Sequence, residues 1–406
     1  MLYLVKNRLV MGKLVDSSFK DQVTDQNGLK IQVKRPQRFV TTTGPTLQSQ
    51  DIVNGKVDLA VDQYKGVHVE IGDLESVSSY NELVRKQSMV SAASALAEDI
   101  DGFLHRRTLE FNNWVGTPGS PIANPTQFNV GWTRLEDLAV PSDGMRAATI
   151  TSTDAANIKN FLTGTDIQGV NKTALERATI PIISDIDVYH TQKVPTLTTG
   201  TRAASGATLV NGAAQNVMYR AVANTMTQVL NVDTLTVGHT VRAGEVLTIA
   251  GVFAVNPRDQ SVYPYLQQFT VMADATANGV GQAALTISPP IIVPGTGAGK
   301  DPNVNTAFAT ASAVPADNAA VTHLGAPSTA LRAGSLFHRS AISLVFARLQ
   351  MPFTGNASYA TDPETGVTIR YWRGSDIATG IHAHRWDMIY GATNVQRQFG
   401  ARTNGS

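Results

Sequence analysis

Residues 73–111 have the sequence DLESVSSYNELVRKQSMVSAASALAEDIDGFLHRRTLEF, and this stretch decides the fold prediction for the whole chain. It contains no proline, and its first glycine is Gly102. Asp73 can cap the amino terminus of a helix. Apolar residues in the second half recur at helical spacing, at Met89, Ala93, Leu96, Ile100 and Phe103. We predict one helix about 57 Å long, or, as the alternative, two helices separated near Ser88–Ser91.

Upstream of this helix, the sequence predicts a long β-hairpin. Apolar and polar residues alternate at 29–33, and a second extended run covers 53–71. The connection at 44–54 is polar, so the hairpin has little apolar surface to bury. Because an isolated hairpin is only marginally stable in water, we expect it to pack against another surface. A short amphipathic helix is predicted within residues 1–15.

Downstream of the long helix, the pattern is mixed and predicts an α+β protein. We predict strands at 145–150 and 187–190, and helices at 153–162 and 171–178. Short strands without helices then indicate a small β-barrel or sandwich between about 201 and 300, with strands at 227–237, 245–255, 267–273 and 283–287. Later strands at 340–349, 367–372 and 384–390 could rejoin the sheet begun earlier in the chain.

The composition is unusual in its low charge. Of 406 residues, 16% are charged, with 33 basic and 32 acidic side chains and a net charge of +1. Soluble domains average about 25% charged residues. Two interpretations remain open: a β-rich protein with a neutral polar surface, or a surface that becomes subunit interface, where charge is depleted. The net charge argues against a protein that binds nucleic acid by counterion release.

No catalytic constellation is visible in the sequence. The chain has no cysteine, which excludes disulfides, thiolate metal sites and a cysteine nucleophile. The segment GTGAGK at 295–300 lacks the first glycine and the final Ser or Thr of a phosphate loop, and we expect no helix after it. The apolar stretches are too short to span a membrane. We therefore predict no enzymatic activity, no cofactor, no metal and no membrane partner.

Two groups of polar residues have competing interpretations. His382 and His384 share a strand face near Asp387, and we interpret them as a solvated edge strand rather than a metal site. Asp99 and Asp101 are expected on the solvated face of the long helix.

The densest basic cluster of the chain lies at the start of the hairpin. It consists of Lys30, Lys34, Arg35 and Arg38. These side chains could contact a nucleic-acid backbone or an acidic patch on a neighbouring subunit, or they could form a solvated strand face.

Several segments resemble the coat proteins of tailed bacteriophages of the phage P22 type. They are FVTTTGPTLQSQD at 39–51, VDLAVDQYKGV at 57–67, NKTALERA at 171–178, IDVYHTQKVP at 186–195, LTIAGVFAVNP at 247–257, LQQFTV at 266–271 and LTISPPI at 285–291. The resemblance covers about residues 9–400 and implies the HK97-type capsid fold. The domains it implies are an N-arm (1–28), an E-loop (29–72), a P-domain spine helix and loop (73–128), a first A-domain part (129–198), a β-rich insertion domain (199–299), a second A-domain part (300–365), and P-domain strands with the C-terminus (366–406).

The function implied by this resemblance is that of a major capsid protein. Copies of the chain would form hexamers and pentamers of an icosahedral shell that encloses double-stranded DNA, assembled in the host bacterial cytoplasm. Expected partners are a portal protein, DNA bound without sequence specificity, a candidate decoration protein, and a separate scaffolding protein, because the fold begins almost at Met1. The alternative is a β-rich tail-associated or carbohydrate-binding virion protein, with a hydrolase as a more distant third class.

The hairpin carries the predicted subunit interface, because it could bury its apolar face on an adjacent subunit. The predicted interface residues are Lys34, Arg35, Arg38, Asp51, Lys56, Asp58, Asp62 and Lys65. Charge reversal at Arg35 or Arg38 is predicted to impair assembly and to leave the monomer folded.

Overall fold

The structure is a computed structural model that describes residues 1–19, 29–45, 49–72, 81–164, 183–202, 208–353, 356–376 and 381–403. The predicted helix at 171–178 lies outside these residues. The α-helices are α1 (Leu2–Arg8), α2 (Met11–Leu14), α3 (Asn81–Arg107), α4 (Pro125–Asp137), α5 (Ser152–Gly164), α6 (Tyr219–Val222) and α7 (Asp301–Ala307).

The β-strands are more numerous than the helices. They are β1 (Lys30–Lys34), β2 (Lys56–Ala60), β3 (Gln63–Gly72), β4 (Asn113–Trp114), β5 (Arg146–Ile150), β6 (Asp187–His190), β7 (Thr196–Thr198), β8 (Thr208–Val210), β9 (Gln228–Asp233), β10 (Thr240–Val241), β11 (Val246–Val255), β12 (Val262–Val271), β13 (Ala275–Thr276), β14 (Ala283–Ser288), β15 (Ala320–His323), β16 (Ala330–Arg332), β17 (Gly334–His338), β18 (Ile342–Ala347), β19 (Asn356–Thr361), β20 (Thr368–Asp376), β21 (Ile381–Asn394) and β22 (Gly400–Thr403). Helices and sheets together confirm the α+β class.

The chain divides into two units. Unit 1 comprises Met1–Val33, Asp58–Arg107 and Ile342–Val395. Unit 2 comprises Lys34–Val57, Thr108–Ala341 and Gln396–Ser406.

The long helix α3 is the principal helix of unit 1. It runs without a break through Ser88–Ser91, so the prediction of a single helix is confirmed for Asn81–Arg107. Its length is about 40 Å at 1.5 Å per residue. The predicted carboxyl end is wrong, because Thr108–Glu110 forms a 3-10 turn, while residues 73–80 lie outside the described part of the chain.

One face of α3 carries small and apolar side chains that are buried, including Ala93, Leu96 and Ile100. The prediction that Asp101 is solvated is wrong. Asp101 is 6% exposed, and its carboxylate accepts hydrogen bonds from the backbone N–H groups of Val10 (2.8 Å) and Gly12 (3.2 Å). The carboxylate therefore accepts hydrogen bonds from backbone N–H groups at the start of α2. The position of Asp101 along α3 does not reveal this role, because the donors belong to another element.

A five-stranded antiparallel sheet forms the other layer of unit 1, with β21 as its central strand. β21 pairs with β20 and with β3 over its first part, and with β18 over its second part. Phe103 of α3 packs edge-on against Tyr390 of β21 at 5.5 Å between ring centroids. The Tyr390 hydroxyl donates a hydrogen bond of 2.7 Å to Asp99 of α3. The pairing of β21 with β3 confirms the prediction that the late strands rejoin a sheet begun earlier in the chain.

The interpretation of His382 and His384 as an edge strand is wrong, because β21 is an interior strand. His384 is 7% exposed, and its Nδ1 lies 2.6 Å from the Tyr371 hydroxyl. Asp387 is fully buried and accepts hydrogen bonds from Arg370 (2.7 Å) and Arg385 (2.6 Å). These contacts give the buried polar groups protein partners, as expected of a sheet interior.

The predicted hairpin is shorter than expected. β1 and β2 form a two-stranded sheet, but the run 53–71 is divided into β2 and β3, and β3 pairs with β21 instead of β1. The base of the hairpin contributes four buried apolar side chains to a cluster in unit 1, which are Ile31, Val33, Leu59 and Val61. They pack with Val345, Ala347 and Val395 of the same unit. The apolar face of the hairpin base is therefore buried on its own chain.

Unit 2 contains a five-stranded sheet in the order β4, β22, β17, β5, β6. Its apolar core is filled from one side by helices α4 and α5, through residues such as Phe128, Leu135 and Ile158. The predicted strands at 145–150 and 187–190 and the predicted helix at 153–162 agree closely with β5, β6 and α5.

A closed β-barrel is the second part of unit 2 and confirms the barrel alternative over the sandwich. Its described strands follow the order β11, β12, β14, β9, β8, β15. Because β15 closes the barrel at 320–323, the barrel continues past the expected boundary at residue 299. The expectation that no helix follows 295–300 is wrong, since α7 begins at Asp301.

A buried polar group lies beside the barrel strands. The carboxylate of Glu245 accepts hydrogen bonds from the Arg202 guanidinium and from the backbone N–H of Gly200 at 2.7 Å, and neither charged side chain is exposed. His323 Nδ1 lies 3.8 Å from the same carboxylate. Burial, and secondarily the charge of Arg202, lower the pKa of His323 to about 3.

We expect this histidine to make the chain sensitive to acid. The unfolded chain binds a proton on His323 below about pH 6.5, whereas the folded chain does so only near pH 3. The free energy of unfolding therefore falls as the pH decreases through this window, by about 2 kcal/mol for this group between pH 7 and pH 5. Urea unfolding of His323→Leu should show a smaller loss between these pH values than wild type. An equal loss in both, with the exposed control His190→Leu also unchanged, would contradict the prediction.

Among the described residues, no helix is long and apolar enough to cross a membrane. The same part of the chain contains no group of three or more His, Cys, Asp or Glu residues that could hold a metal ion.

Candidate subunit interface

The predicted interface residues belong to both units. Asp58, Asp62 and Lys65 lie in unit 1. Lys34, Arg35, Arg38, Asp51 and Lys56 lie in unit 2. The structure does not bring all of them together at one site, and each group has its own surroundings.

In unit 1, the predicted residues form exposed or half-exposed ion pairs within the chain. Asp58 pairs with Lys30 at 2.7 Å, and Lys65 pairs with Asp99 at 3.7 Å. Asp62 is exposed and accepts a hydrogen bond from the Gln63 amide at 3.1 Å. Because exposed ion pairs contribute at most about 1 kcal/mol, these carboxylates and amines remain able to exchange partners with another molecule.

In unit 2, the far part of the hairpin packs against the segment around α6. Asp51 pairs with Arg220 at 2.7 Å, and this guanidinium is the main cause that lowers the pKa of Asp51. The backbone N–H of Lys56 donates to Asn224 at 3.0 Å. A Cβ on Gly55 would lie 2.4 Å from the carbonyl oxygen of Ala223. The expectation that this segment finds its contacts only on an adjacent subunit is therefore wrong.

Arg35 and Arg38 are half-buried rather than solvated. Burial lowers the pKa of both, with Arg35 at about 10. A carboxylate introduced at either position would also be partly desolvated, which costs free energy in the isolated chain. Charge reversal there therefore carries a cost within the isolated chain as well as at an interface. That the reversed monomer stays folded remains a prediction.

The hairpin nevertheless has an outward surface, which we call the hairpin surface. It is made of Lys34 and Lys56, which are exposed, and of Phe39 and Ile52, which are 59% and 62% exposed. The sequence prediction selected the two lysines but omitted the two apolar residues. The sequence does contain a signal for Phe39 and Ile52, because each is an isolated large apolar residue beside a polar loop.

The hairpin surface exposes apolar area beside polar and charged residues, which is the arrangement of an apolar interface core with a polar rim. It has the chemistry to bind another protein surface through apolar burial at Phe39 and Ile52, with the lysines selecting a partner of opposite charge.

Comparison with known proteins assigns the class. A family model described as P22 coat protein, gene protein 5, matches residues 1–403. The chain is therefore a viral coat protein, whose copies form the shell of a capsid. It belongs to the P22 coat protein family. Family membership and the observed order of hairpin, long helix, α+β region and barrel assign the HK97-type capsid fold predicted from the sequence.

Solved structures similar to the chain come from phages. A structure from Mycobacterium phage Che8 has a TM-score of 0.49 and 12% identity, covering 98% of this chain and 92% of that one. The capsid of the cyanophage P-SCSP1u has a TM-score of 0.46 and 11% identity, with 98% and 88% covered. The I-domain of the CUS-3 coat protein has a TM-score of 0.22 and 24% identity, with 30% and 98% covered. No curated protein matches the chain.

Proposed function

We propose that the chain is the major capsid protein of a tailed double-stranded DNA bacteriophage, which assembles as hexamers and pentamers into an icosahedral shell. The observation that carries this proposal is the coat-protein family match over residues 1–403. The exposed apolar residues of the hairpin surface support it, because a shell subunit must offer surface for burial between copies. The protein acts as a structural subunit and not as an enzyme.

The domain roles follow the capsid fold. Residues 1–28 form the N-arm, 29–72 the E-loop, and 199–299 the insertion domain, to which the barrel strand β15 is added. The A-domain comprises 129–198 and 300–365, and the P-domain comprises 73–128 and 366–406. The burial of α3 against the sheet centred on β21 supports the role of α3 as the P-domain spine.

The proposed partners are further copies of the chain, a scaffolding protein, a portal protein, packaged duplex DNA and a decoration protein. The net charge of +1 is compatible with DNA that is contained without sequence-specific binding. Assembly takes place in the cytoplasm of the host bacterium.

Electron microscopy tests the proposal directly. Negative-stain images of the chain co-expressed with its scaffolding protein should contain closed, uniform shells. The competing class, a tail-associated or carbohydrate-binding protein, would give small discrete particles and would bind glycans. Only small particles at all protein concentrations, in the presence of the scaffolding protein, would refute the capsid function.

The hairpin surface is proposed as an interface, which charge reversal can test. We expect the double variant Lys34→Glu/Lys56→Glu to reduce shell yield at least about tenfold, because several weak contacts per subunit multiply the loss. Thermal unfolding should stay close to wild type, since both side chains are exposed. Shell yield is measured by sedimentation, with the exposed Arg332→Glu as control. Normal yield in the double variant would remove these lysines from the interface.

A further inference from the structure

Three polar side chains of unit 2 are joined by hydrogen bonds where β5 begins and β17 ends. His338 Nε2 lies 3.0 Å from Oδ1 of Asp143, and His338 Nδ1 lies 2.8 Å from the Ser340 hydroxyl oxygen. Strands β5 and β17 are antiparallel neighbours with His338 opposite Arg146, so the residue before β5 meets the residue after β17. Asp143 and His338 are 195 positions apart in the sequence, so no local pattern indicates this arrangement.

The hydrogen-bond partners of His338 fix which ring nitrogen carries the proton in the neutral imidazole. The backbone N–H of Ser340 donates to Nδ1 at 3.3 Å, so Nδ1 is an acceptor. Nε2 then carries the hydrogen and donates it to the Asp143 carboxylate. Partial burial raises the pKa of Asp143, but hydrogen bonds from His338 and from the backbone N–H of Met145 outweigh it and lower that pKa. The unprotonated nitrogen of His338 therefore faces the Ser340 hydroxyl.

The imidazole is enclosed, whereas the hydroxyl is accessible. His338 is 5% exposed, and the ring of Phe399 packs edge-on against it at 6.3 Å between ring centroids. Ser340 is half-buried in the 3-10 turn Arg339–Ala341, and the side chain of Asp143 is 46% exposed. The ring is therefore held in one orientation by its surroundings, and a small molecule can approach the hydroxyl from solvent.

An ordinary serine hydroxyl is a weak nucleophile that an adjacent general base activates. In serine proteases the serine contacts Nε2 of the histidine and the aspartate contacts Nδ1. This chain uses the opposite nitrogens, but the two belong to one conjugated ring, so the ring can accept a proton in the same way. We propose that Ser340 is a reactive serine that takes an acyl group from small activated esters. His338 is the general base, and Asp143 is a positioning residue that orients the ring.

The proposed step is an acyl transfer without oxidation or reduction. The Ser340 oxygen forms a bond to the carbonyl carbon of the ester, and the bond from that carbon to the leaving oxygen breaks with its electron pair. The hydroxyl proton passes to His338 Nδ1 and from there to the leaving oxygen. The product is an ester on Ser340 and a free alcohol or phenol.

The geometry also limits this reactivity to modification of the chain itself. In serine proteases the backbone N–H of the nucleophilic serine helps to stabilise the oxyanion. Here the N–H of Ser340 donates to His338 and is not available for that role. We therefore expect stoichiometric acylation rather than turnover, which is compatible with a structural subunit. The inference does not rest on the proposed capsid function.

Treatment of the full chain with p-nitrophenyl acetate, followed by peptide mass spectrometry, tests the proposal. We expect acetylation of Ser340 to be about 100-fold faster than that of Ser261, since a positioned base contributes roughly 10²–10⁴-fold. Ser261 is the internal control, because it is exposed and donates its hydroxyl to the Asp259 carboxylate at 2.7 Å. A carboxylate is a much weaker base than an imidazole.

Variants at Asp143 test the positioning role. Asp143→Asn should slow acetylation of Ser340 at least about tenfold, because the ring loses its charged partner, and should leave Ser261 unchanged. Asp143→Glu keeps the charge and should recover part of the rate. Both changes are at an exposed position, so we expect the fold to be retained, which circular dichroism checks.

Two results would overturn the proposal. One is acetylation of Ser340 no faster than that of Ser261, or equal rates in wild type and Asp143→Asn, which would indicate a purely structural hydrogen-bond network. The other is an acetyl group on the same peptide in Ser340→Ala, which would assign the reaction to His338 or to another neighbouring side chain.

Discussion

In a Gly391→Ala variant, we expect the free energy of unfolding to fall by about 3 kcal/mol or more, and shell assembly to fail. A Cβ built on Gly391 would lie 1.9 Å from the carbonyl oxygen of Ala60 and 2.8 Å from the Cα of Val61. These are backbone atoms, so no side-chain rotation can relieve the overlap. The chain must move the end of β2 away from β21.

The expected damage reaches the hairpin because Ala60 lies between two buried residues. Leu59 and Val61 are buried with Ile31 in the apolar cluster of unit 1. Displacing β2 from β21 removes these side chains from their neighbours, at a cost of roughly 1.5–3 kcal/mol for each side chain returned to water. The base of the hairpin would lose its fixed position, and the proposed interface would lose its geometry with it.

Gly374→Ala is the matched control for this prediction. Gly374 lies in β20 of the same sheet, and an added Cβ there meets no atom within 4 Å. Alanine should be neutral or stabilising by up to about 1 kcal/mol, since glycine loses more conformational freedom on folding. Both variants are compared by urea unfolding and by sedimentation of assembled shells. A Gly391→Ala variant with wild-type stability would show that β2 can separate from β21 without cost.

The elements that sequence analysis located correctly are those with a strong local pattern. In helix α3 the helical spacing of apolar residues is complete within the element, and in strand β11 the extended apolar run is complete within the strand. The small apolar residues of α3 needed no information from elsewhere in the chain. The barrel was recognised for the same reason, from consecutive strands separated by turns.

The features that sequence analysis missed depend on distant partners. The three residues of β8 and the four of β15 are too short to show a period, yet they close the barrel. β3 was assigned to the hairpin because alternation does not reveal which strand is the partner. The position of Asp101 along α3 is that expected of a solvated side chain. Its burial is explained by the backbone N–H groups at the start of α2 that donate to its carboxylate.

Within the candidate interface, too, some features follow from local sequence and others depend on distant residues. The exposure of Lys34 and Lys56 follows from alternation in short strands, and the sequence analysis named both as interface residues. The burial of Arg35 and Arg38 depends on a cavity wall that includes Tyr219, far along the chain. The basic cluster was visible in the sequence, but its separation into solvated lysines and partly buried arginines was not.

The second large effect is expected at Glu245, beside the barrel. Glu245→Ala should lower the free energy of unfolding by about 3–5 kcal/mol, because Arg202 would remain as a buried charge without its carboxylate. The backbone N–H groups of Gly200 and Arg242, which donate to Glu245 at 2.7 and 2.8 Å, would also lose their acceptor. Glu245→Gln keeps an oxygen that can accept from these donors, so we expect it to lower the free energy of unfolding less than Glu245→Ala does. Its remaining loss would measure the contribution of the negative charge to the pair with Arg202.

A second ion pair in the same turn provides the control. Arg242 pairs with Asp274 at 2.5 Å, but both side chains are more than half exposed. Arg242→Ala should therefore cost no more than about 1 kcal/mol. The contrast isolates burial as the cause, since both pairs join a guanidinium to a carboxylate and their members Arg242 and Glu245 are neighbours in one turn. Equal urea midpoints for Glu245→Ala and Arg242→Ala would mean that water reaches Arg202 and that the pair is not buried in solution.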